Sequence, residues 1–436
     1  MYSQCFILKL TVRVRAIAFG TAAALAMLLA VHSPAALAQL TIEIGGSGSQ
    51  QYPIVLMGFT GDAAADDMSA VVRSDLSKSG LFRVLPDTQK LEYSQTPNLA
   101  ALRAAGADTV AWGTLSKFGE DYQLKLKLQD TVSSAVLDNV VMTLKSGVRF
   151  SGHQVADRLY EKISGYKGFF TTRLAYVTQL NRETVELRIA DWDGQFPQVA
   201  LRSKEPLMSV SFNTDTSRLA YVSFESRKAT IYTHELATGT RTMISNQRGT
   251  NSAPSFAPDG KTLAAALSRD GLAQIYTMDL NGESLKRLTQ NSWIDTEPSY
   301  SADGKTLFFV SDRGGQPQIY RMSAAGGEAQ RVTFTGEYNI SPAVSPDGKY
   351  LTYIARRAGR YLTAVMDLDS QQETLVSDGS ADESPSFVSN SRFVIYASKQ
   401  RGRGVLVLAS IDGKIRSTLS LPNADIRGPA FSNPLK

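Results

Sequence analysis

The sequence predicts a small α/β domain followed by an all-β, six-bladed β-propeller, and three observations carry that prediction. A turn block recurs as Ser255-Phe-Ala-Pro-Asp-Gly-Lys261, Ser299-Tyr-Ser-Ala-Asp-Gly-Lys305 and Ala343-Val-Ser-Pro-Asp-Gly-Lys349, each time ahead of an apolar strand pattern. Equivalent strand positions fall at Leu174, Leu219, Leu263, Leu307, Leu351 and Val394, spaced by 45, 44, 44, 44 and 43 residues. The stretch before Gly165 lacks this repeat and mixes helical with strand periodicity.

In chain order, residues 1–38 read as a secretory signal. Lys9, Arg13 and Arg15 precede the apolar run from Ala16 to Val31, and Ala36-Leu37-Ala38 forms a small-residue cleavage box, so the mature chain begins near Gln39. An uncleaved anchor is the alternative, but the run holds only 16 residues and includes Gly20 and Thr21, where a membrane span needs about 20 apolar residues. Cys5 is the only cysteine and stands ahead of the run, so neither a lipid anchor nor a disulfide framework is implied.

Residues 39–165 form the predicted N-terminal domain. Leu40, Ile42 and Ile44 alternate with Gln39, Thr41 and Glu43, which makes this segment competent to add as a strand to a partner's sheet edge or to dock on its own protein. Gly45-Gly46-Ser47-Gly48 then reads as a flexible connector. Met68, Val71, Val72 and Leu76 mark a helix over 66–79 that stops at Gly80. Pro97 opens a second helix through Ala105, Thr109 to Gly113 and Tyr122 to Leu128 are strands, and Gly152 to Ile163 is a closing amphipathic helix.

Residues 166–436 form the predicted propeller. Each unit of about 44 residues carries four short strands punctuated by Asp-Gly or Asn-Gly turns, the composition of tight hairpins. First strands begin near Ser209, Ala253, Glu297, Ser341 and Ser384, while second strands begin near Leu174 and its five equivalents. The opening second strand has no first strand before it, so residues 428–432 are expected to close the ring as the innermost strand beside Arg173.

Composition narrows the chemistry. The chain carries 46 Lys and Arg against 41 Asp and Glu, and removal of the leader takes three basic residues and no acidic ones. No basic cluster interleaved with aromatics signals nucleic acid, and Lys399-Gln400-Arg401-Gly402-Arg403-Gly404 reads as a turn between strands. His153 and His234 lie in different domains and read as structural residues, so no metal site is expected. No Gly-x-Ser-x-Gly elbow or phosphate-binding loop is present, and Asp191-Trp192-Asp193-Gly194 reads as a turn rather than a calcium loop. The expectation is a binding protein, not an enzyme, without a cofactor. A propeller enzyme or a periplasmic small-ligand binder is the competing reading.

Lys162-Ile-Ser-Gly-Tyr-Lys-Gly168, Arg173-Leu-Ala-Tyr-Val177, Pro206-Leu-Met208 and Asn251-Ser-Ala-Pro254, together with the domain order and the Gln-Ile-Tyr strands at 274–276 and 318–320, resemble the TolB family of the Tol-Pal system. The resemblance covers essentially the whole mature chain. It implies a periplasmic scaffold that binds the lipoprotein Pal through the propeller and TolA through the mature N-terminus, supporting outer-membrane integrity and envelope constriction during division. It places Pal contacts at Thr250, Asn251, Ala253, Thr296 and Glu297, although Thr250 stands where relatives can have His. It places TolA contacts at Gln39, Leu40, Thr41, Ile42, Glu43 and Ile44, although the Gly-Ser-Gly-Ser continuation departs from the family. The implied protein has no integral anchor after cleavage and is a monomer before its partners bind. Independently of that resemblance, a propeller's inner strands surround a channel, and the loops entering them form a rim able to accept a partner. Those loops are expected to carry Asn251, Ala253, Thr296, Glu297, Asn339, Asp382 and Glu383.

Overall fold

The computed structural model describes residues 39–43, 51–145, 147–421 and 424–435. The expected leader over 1–38, and Ile44, lie outside them.

After β1 (Gln39–Glu43), the N-terminal region runs β2 (Tyr52–Leu56), β3 (Thr60–Gly61), α1 (Ala65–Lys78), β4 (Phe82–Leu85), α2 (Leu99–Ala104), β5 (Thr109–Phe118), β6 (Asp121–Asp130), β7 (Val136–Leu144) and α3 (Val148–Ser164). Strands β2 to β7 make one mixed sheet in the order β4-β2-β5-β6-β7, with β3 beside β5. Its β2 strand is parallel to both neighbours. Leu124, Leu126 and Leu128 bury one face of β6, as their alternation demands, and Met68, Val72 and Leu76 bury one stripe of α1 against them.

The closing helix begins at Val148, four residues before the expected Gly152. Gly152 sits inside it because α1 passes so close that a Cβ there would lie 2.7 Å from the Val71 side chain. Gly152 marks a close helix crossing, not the start of the helix.

Four strands form each of six blades. Blade I holds β8 (Arg173–Asn181), β9 (Thr184–Asp191) and β10 (Gln198–Ser203). Blade II holds β11 (Leu207–Phe212), β12 (Arg218–Ser223), β13 (Thr230–Glu235) and β14 (Arg241–Ser245). Blade III holds β15 (Asn251–Phe256), β16 (Thr262–Leu267), β17 (Gln274–Asp279) and β18 (Lys286–Arg287). Blade IV holds β19 (Asp295–Tyr300), β20 (Thr306–Ser311), β21 (Gln318–Ser323) and β22 (Gln330–Arg331). Blade V holds β23 (Tyr338–Val344), β24 (Tyr350–Arg357), β25 (Arg360–Asp367) and β26 (Glu373–Leu375). Blade VI holds β27 (Glu383–Phe387), β28 (Phe393–Gln400), β29 (Arg403–Ser410) and β30 (Arg416–Ser420).

The fourth strand of blade I comes from the far end of the chain. β31 (Asp425–Phe431) pairs antiparallel with β8, from Asp425 opposite Gln179 to Phe431 opposite Leu174, so the ring closes as the repeat count requires. The recurring turns owe their composition to a side-chain bond. Asp259, Asp303 and Asp347 each accept from the backbone N–H of the lysine two residues on, at 2.8, 3.0 and 3.1 Å.

Because successive strands alternate in direction, the connections between second and third strands and those entering each first strand share one face of the ring. The N-terminal region packs on the other face. There a single hydrophobic core joins Met68 and Leu76 of α1, Leu159 of α3, Phe169 and Phe170 of the connecting segment, Trp192 of blade I and Phe393 of blade VI.

Candidate functional site

The free face is where the expected docking residues converge, but the structure revises their setting. Asn251, Ala253, Thr296, Glu297, Asn339 and Glu383 lie in the innermost strands rather than in the loops entering them. Asn251 is fully buried. Its Oδ1 accepts from Ser245 Oγ at 2.7 Å and from Gln247 N at 3.0 Å, and its Nδ2 donates to the Ala229 and Gln247 carbonyls. Asp295, Asn339 and Asp382 occupy the same position in blades IV, V and VI and are bracketed in the same way by Asn291, Gln318 and Thr363. A side chain repeated and satisfied in four blades ties strands together, so Asn251 has no free polar group to offer from its side chain.

Ala253 and Glu297 sit two residues deeper, on a ring of backbone bulges. Ser209, Ala253, Glu297, Ser341, Ser384 and Gly428 all have φ between 50° and 57°, one per blade, and the strand register shifts at each. Proline follows five of the six, supplying no N–H at a point where the ladder is already interrupted. Ser209, Ser384, Gly428 and the prolines that follow the bulges line a channel cavity of about 300 Å³. Glu297 crosses from its bulge to the next, accepting a 2.6 Å bond from Ser341 N. Burial raises its pKa above the ordinary carboxylate value, and the bond from Ser341 only partly offsets this. Thr250 and Glu383 are the exposed members of the expected set, the Thr250 N–H bonded to Ser268 Oγ. Thr296 is partly exposed beside it in fold position, paired in register with Val310.

The covered face holds the residues that sequence reasoning missed as a set. Asp191, Trp192 and Asp193 do form the turn between third and fourth strands of blade I, and they dock α1 and α3 onto it. Arg149 reaches Asp191 at 2.6 Å and Asp193 at 3.1 Å, Lys78 reaches Asp193 at 2.7 Å, and Arg173 reaches Asp191 at 2.7 Å. His153 Nδ1 lies 2.6 Å from Asp75, whose other oxygen accepts from Trp192 Nε1 at 3.0 Å. His153 Nε2 is 3.6 Å from Asp191, a charge contact rather than a hydrogen bond. Burial pulls the His153 pKa down, but the Asp191 and Asp75 carboxylates outweigh it and raise it to about 9. Burial would raise Asp191, yet His153 and Arg149 hold it down at about 2. The available signal was a charged Asp75 on the apolar stripe of α1, with a tryptophan between two acids in a blade turn.

This network adjoins the seat of the N-terminal segment. β1 pairs antiparallel with β30, Gln39 opposite Ser420 through Glu43 opposite Arg416, and so adds a fifth strand to blade VI. Leu419 of β30 packs on Gly194, where a Cβ would lie 2.7 Å from its methyl group. The strand-competent segment thus docks on its own protein, one residue contact away from Asp193. Among the described residues, no three His, Cys, Asp or Glu side chains are grouped to hold a metal ion, and no helix is long and apolar enough to cross a membrane.

Residues 40–137 match the family model described as the TolB amino-terminal domain, and residues 160–435 match the one described as the TolB beta propeller domain. The chain is 53% identical over 411 residues to the Tol-Pal system protein TolB of Aromatoleum aromaticum, covering 93% of this chain and 96% of that one. It is 52% identical over 398 residues to the same protein of Dechloromonas aromatica, covering 90% and 93%. With the Bordetella parapertussis protein the match is 45% over 240 residues and spans 54% of that relative's length. The crystal structure of TolB from Acinetobacter baumannii superposes with a TM-score of 0.83 at 34% identity, covering 91% of this chain and all of that one.

Proposed function

The chain belongs to the TolB family of Tol-Pal system components, and from that premise we propose that it is a periplasmic, non-catalytic scaffold with two partner sites. The free face of the propeller, entered at Thr250, Asn251, Ala253, Thr296 and Glu297, receives Pal. Residues 39–44 are the TolA-binding segment. The outcome is a link between outer membrane and inner-membrane complex that supports envelope integrity and constriction at division. Domains at 39–165 and 166–436 divide this work.

The observation that carries the reading is the pairing of β1 with β30. A segment suited to strand addition is held on blade VI by its own protein, so it is available to a second partner only when released. At the other site Asn251 acts by bracing the loop after Gln247, while Thr250 and Thr296 offer hydroxyls to a partner.

Titration calorimetry with purified Pal, and separately with TolA, tests both halves. Pal is expected to bind the 39–436 chain, and Glu297→Lys to weaken it about tenfold by placing a cation where a carboxylate now accepts from Ser341 N. An unchanged affinity rejects the role of Glu297. Deletion of 39–49 is expected to abolish TolA binding and to change Pal affinity, and equal Pal affinity argues against coupling between the sites.

A further inference from the structure

On the free face, the blade VI hairpin carries three cations that no ion pair engages among the described residues. Strands β28 and β29 extend to eight residues each and meet at Arg401-Gly402, with φ of 50° and 81°, a two-residue hairpin. In blades II to IV the corresponding strands hold six residues and are joined by open loops. The blade VI hairpin is therefore a stiff ladder, with Lys399 opposite Gly404 and Gln400 opposite Arg403. Lys399, Arg401 and Arg403 are exposed, and no ion pair engages them among the described residues. On the adjoining blade V hairpin, Arg357 meets Glu373 at 2.7 Å, whereas Arg356 is exposed and lies 6.0 Å from the Tyr361 ring centroid.

The hairpin overhangs a cavity of about 360 Å³ at the channel mouth, which Lys399 and Arg427 share with Glu383 and Asp425. Asp425 is bound by Gly404 N at 3.0 Å, and Arg427 donates to Gln179. Lys399 and Arg403 project from opposite faces of this ladder with Arg401 at its tip, so the hairpin presents positive charge on all sides.

The loops of blades III and IV present the opposite character. Leu272, Trp293 and Ile294 are 50%, 43% and 43% exposed. Their loops are stitched together, Gln274 Nε2 donating to the Trp293 carbonyl at 2.6 Å and Asp295 N to the Ala273 carbonyl at 2.9 Å. The Arg313 guanidinium lies 5.6 Å from the Trp293 ring centroid and is itself fixed by Asp295. A preorganised Trp beside an Arg is the composition of an interface hot spot, because little side-chain entropy remains to be lost on docking.

We infer that Trp293 with Leu272 and Ile294 anchors, and the Lys399-Arg401-Arg403 hairpin selects, a folded protein partner whose docking surface carries carboxylates beside an exposed apolar side chain. Charge complementarity commits the hairpin to an acidic surface, and the anchor commits the face to protein rather than to a bare polyanion. The inference rests on the proposed Pal reading and names the residues of that face which set strength and selectivity. The anchor governs how long the complex lasts. The hairpin governs how fast it forms.

Stopped-flow and calorimetry with purified Pal as the probe decide it. Trp293→Ala is expected to raise the dissociation constant about tenfold or more. Leu272→Ser, which spares the Trp293–Arg313 contact, is expected to act in the same direction. The triple change Lys399→Glu, Arg401→Glu, Arg403→Glu is expected to cut the association rate about tenfold at low salt and to flatten its salt dependence. Lys125→Glu with Lys127→Glu, in the sheet of the N-terminal region, serves as the charge control and leaves both rates unchanged. Pal binding that is the same for wild type and every free-face variant overturns this inference alone, whereas no binding by wild type overturns the Pal reading and this inference with it. Wild-type binding to phosphatidylglycerol vesicles that the triple change abolishes, with Pal kinetics untouched, reassigns the hairpin to a lipid surface and also overturns it.

Discussion

The two faces of the propeller treat charge in opposite ways. On the covered face Lys78, Arg149, His153 and Arg173 each meet Asp75, Asp191 or Asp193 within the protein. On the free face Lys399, Arg401 and Arg403 meet no carboxylate among the described residues, and Trp293 is left half in water. Both faces are built from short connections of the same blades, the free face from those between second and third strands and those entering first strands, the covered face from the rest. What differs is whether the protein supplies the counter-surface itself. A satisfied face reports intramolecular assembly, and an unsatisfied one reports work left for a partner.

That contrast can be broken at several points. Deleting 425–436 removes β31, which borders both faces and buries Ile426, Ala430 and Phe431. The expected loss exceeds about 5 kcal/mol, and in calorimetry the ring no longer melts as one cooperative unit. An unchanged melting temperature would contradict closure by this strand. Next in size, Asp191→Ala removes the ion-pair partner of Arg173 and one of the two partners of Arg149 and of His153, and is expected to cost about 2–3 kcal/mol. A loss below about 1 kcal/mol, read from denaturant unfolding, would mean the covered face is held by its aromatic core alone.

The covered face should also titrate. His153 has its pKa raised to about 9, so its contribution is complete below about pH 6.5 and disappears as pH climbs through about 9. Asp191, lowered to about 2, contributes fully above about pH 4 and fails as pH falls through about 2. Stability is therefore expected to decline by about 1–3 kcal/mol between pH 6.5 and 9. His153→Gln should flatten that limb in a melting series. Smallest of all, Arg401→Ser on the free face should leave stability within about 0.5 kcal/mol, or raise it slightly by relieving repulsion. A larger loss would show that the hairpin cations already have an internal role.

Much of this architecture was legible because propeller blades are written locally. The spacing of Leu174, Leu219 and their equivalents fixed both the number of blades and the need for a returning strand, and Asp-Gly-Lys turns announced themselves by a bond spanning two residues. The strand character of residues 39–43 was likewise visible in alternation, although its acceptor, β30, was not. What stayed hidden was assembled across distance. Asp75 and Trp192 are 117 positions apart yet share a hydrogen bond, so neither residue's neighbours betray the other. His153 was read as an ordinary structural residue, and only the packing of α1 against α3 shows which charges surround it. Asn251 was read as a rim contact since a polar residue at a strand entrance looks available, whereas three equivalents in other blades reveal a brace.

Returning β31 to β8 also sets a schedule. Arg173 N bonds to Ser432 Oγ across 259 positions, so blade I cannot be completed until nearly all of the propeller sequence has been made. Until then β8 waits with its inner edge bare, and blades II to VI can fold behind it without sealing the circle. Such long-range closure makes folding slow relative to a helical protein of equal size and leaves a sticky intermediate whose lifetime depends on the pace of synthesis. A pause late in synthesis would prolong an aggregation-prone species far more than the same pause early on.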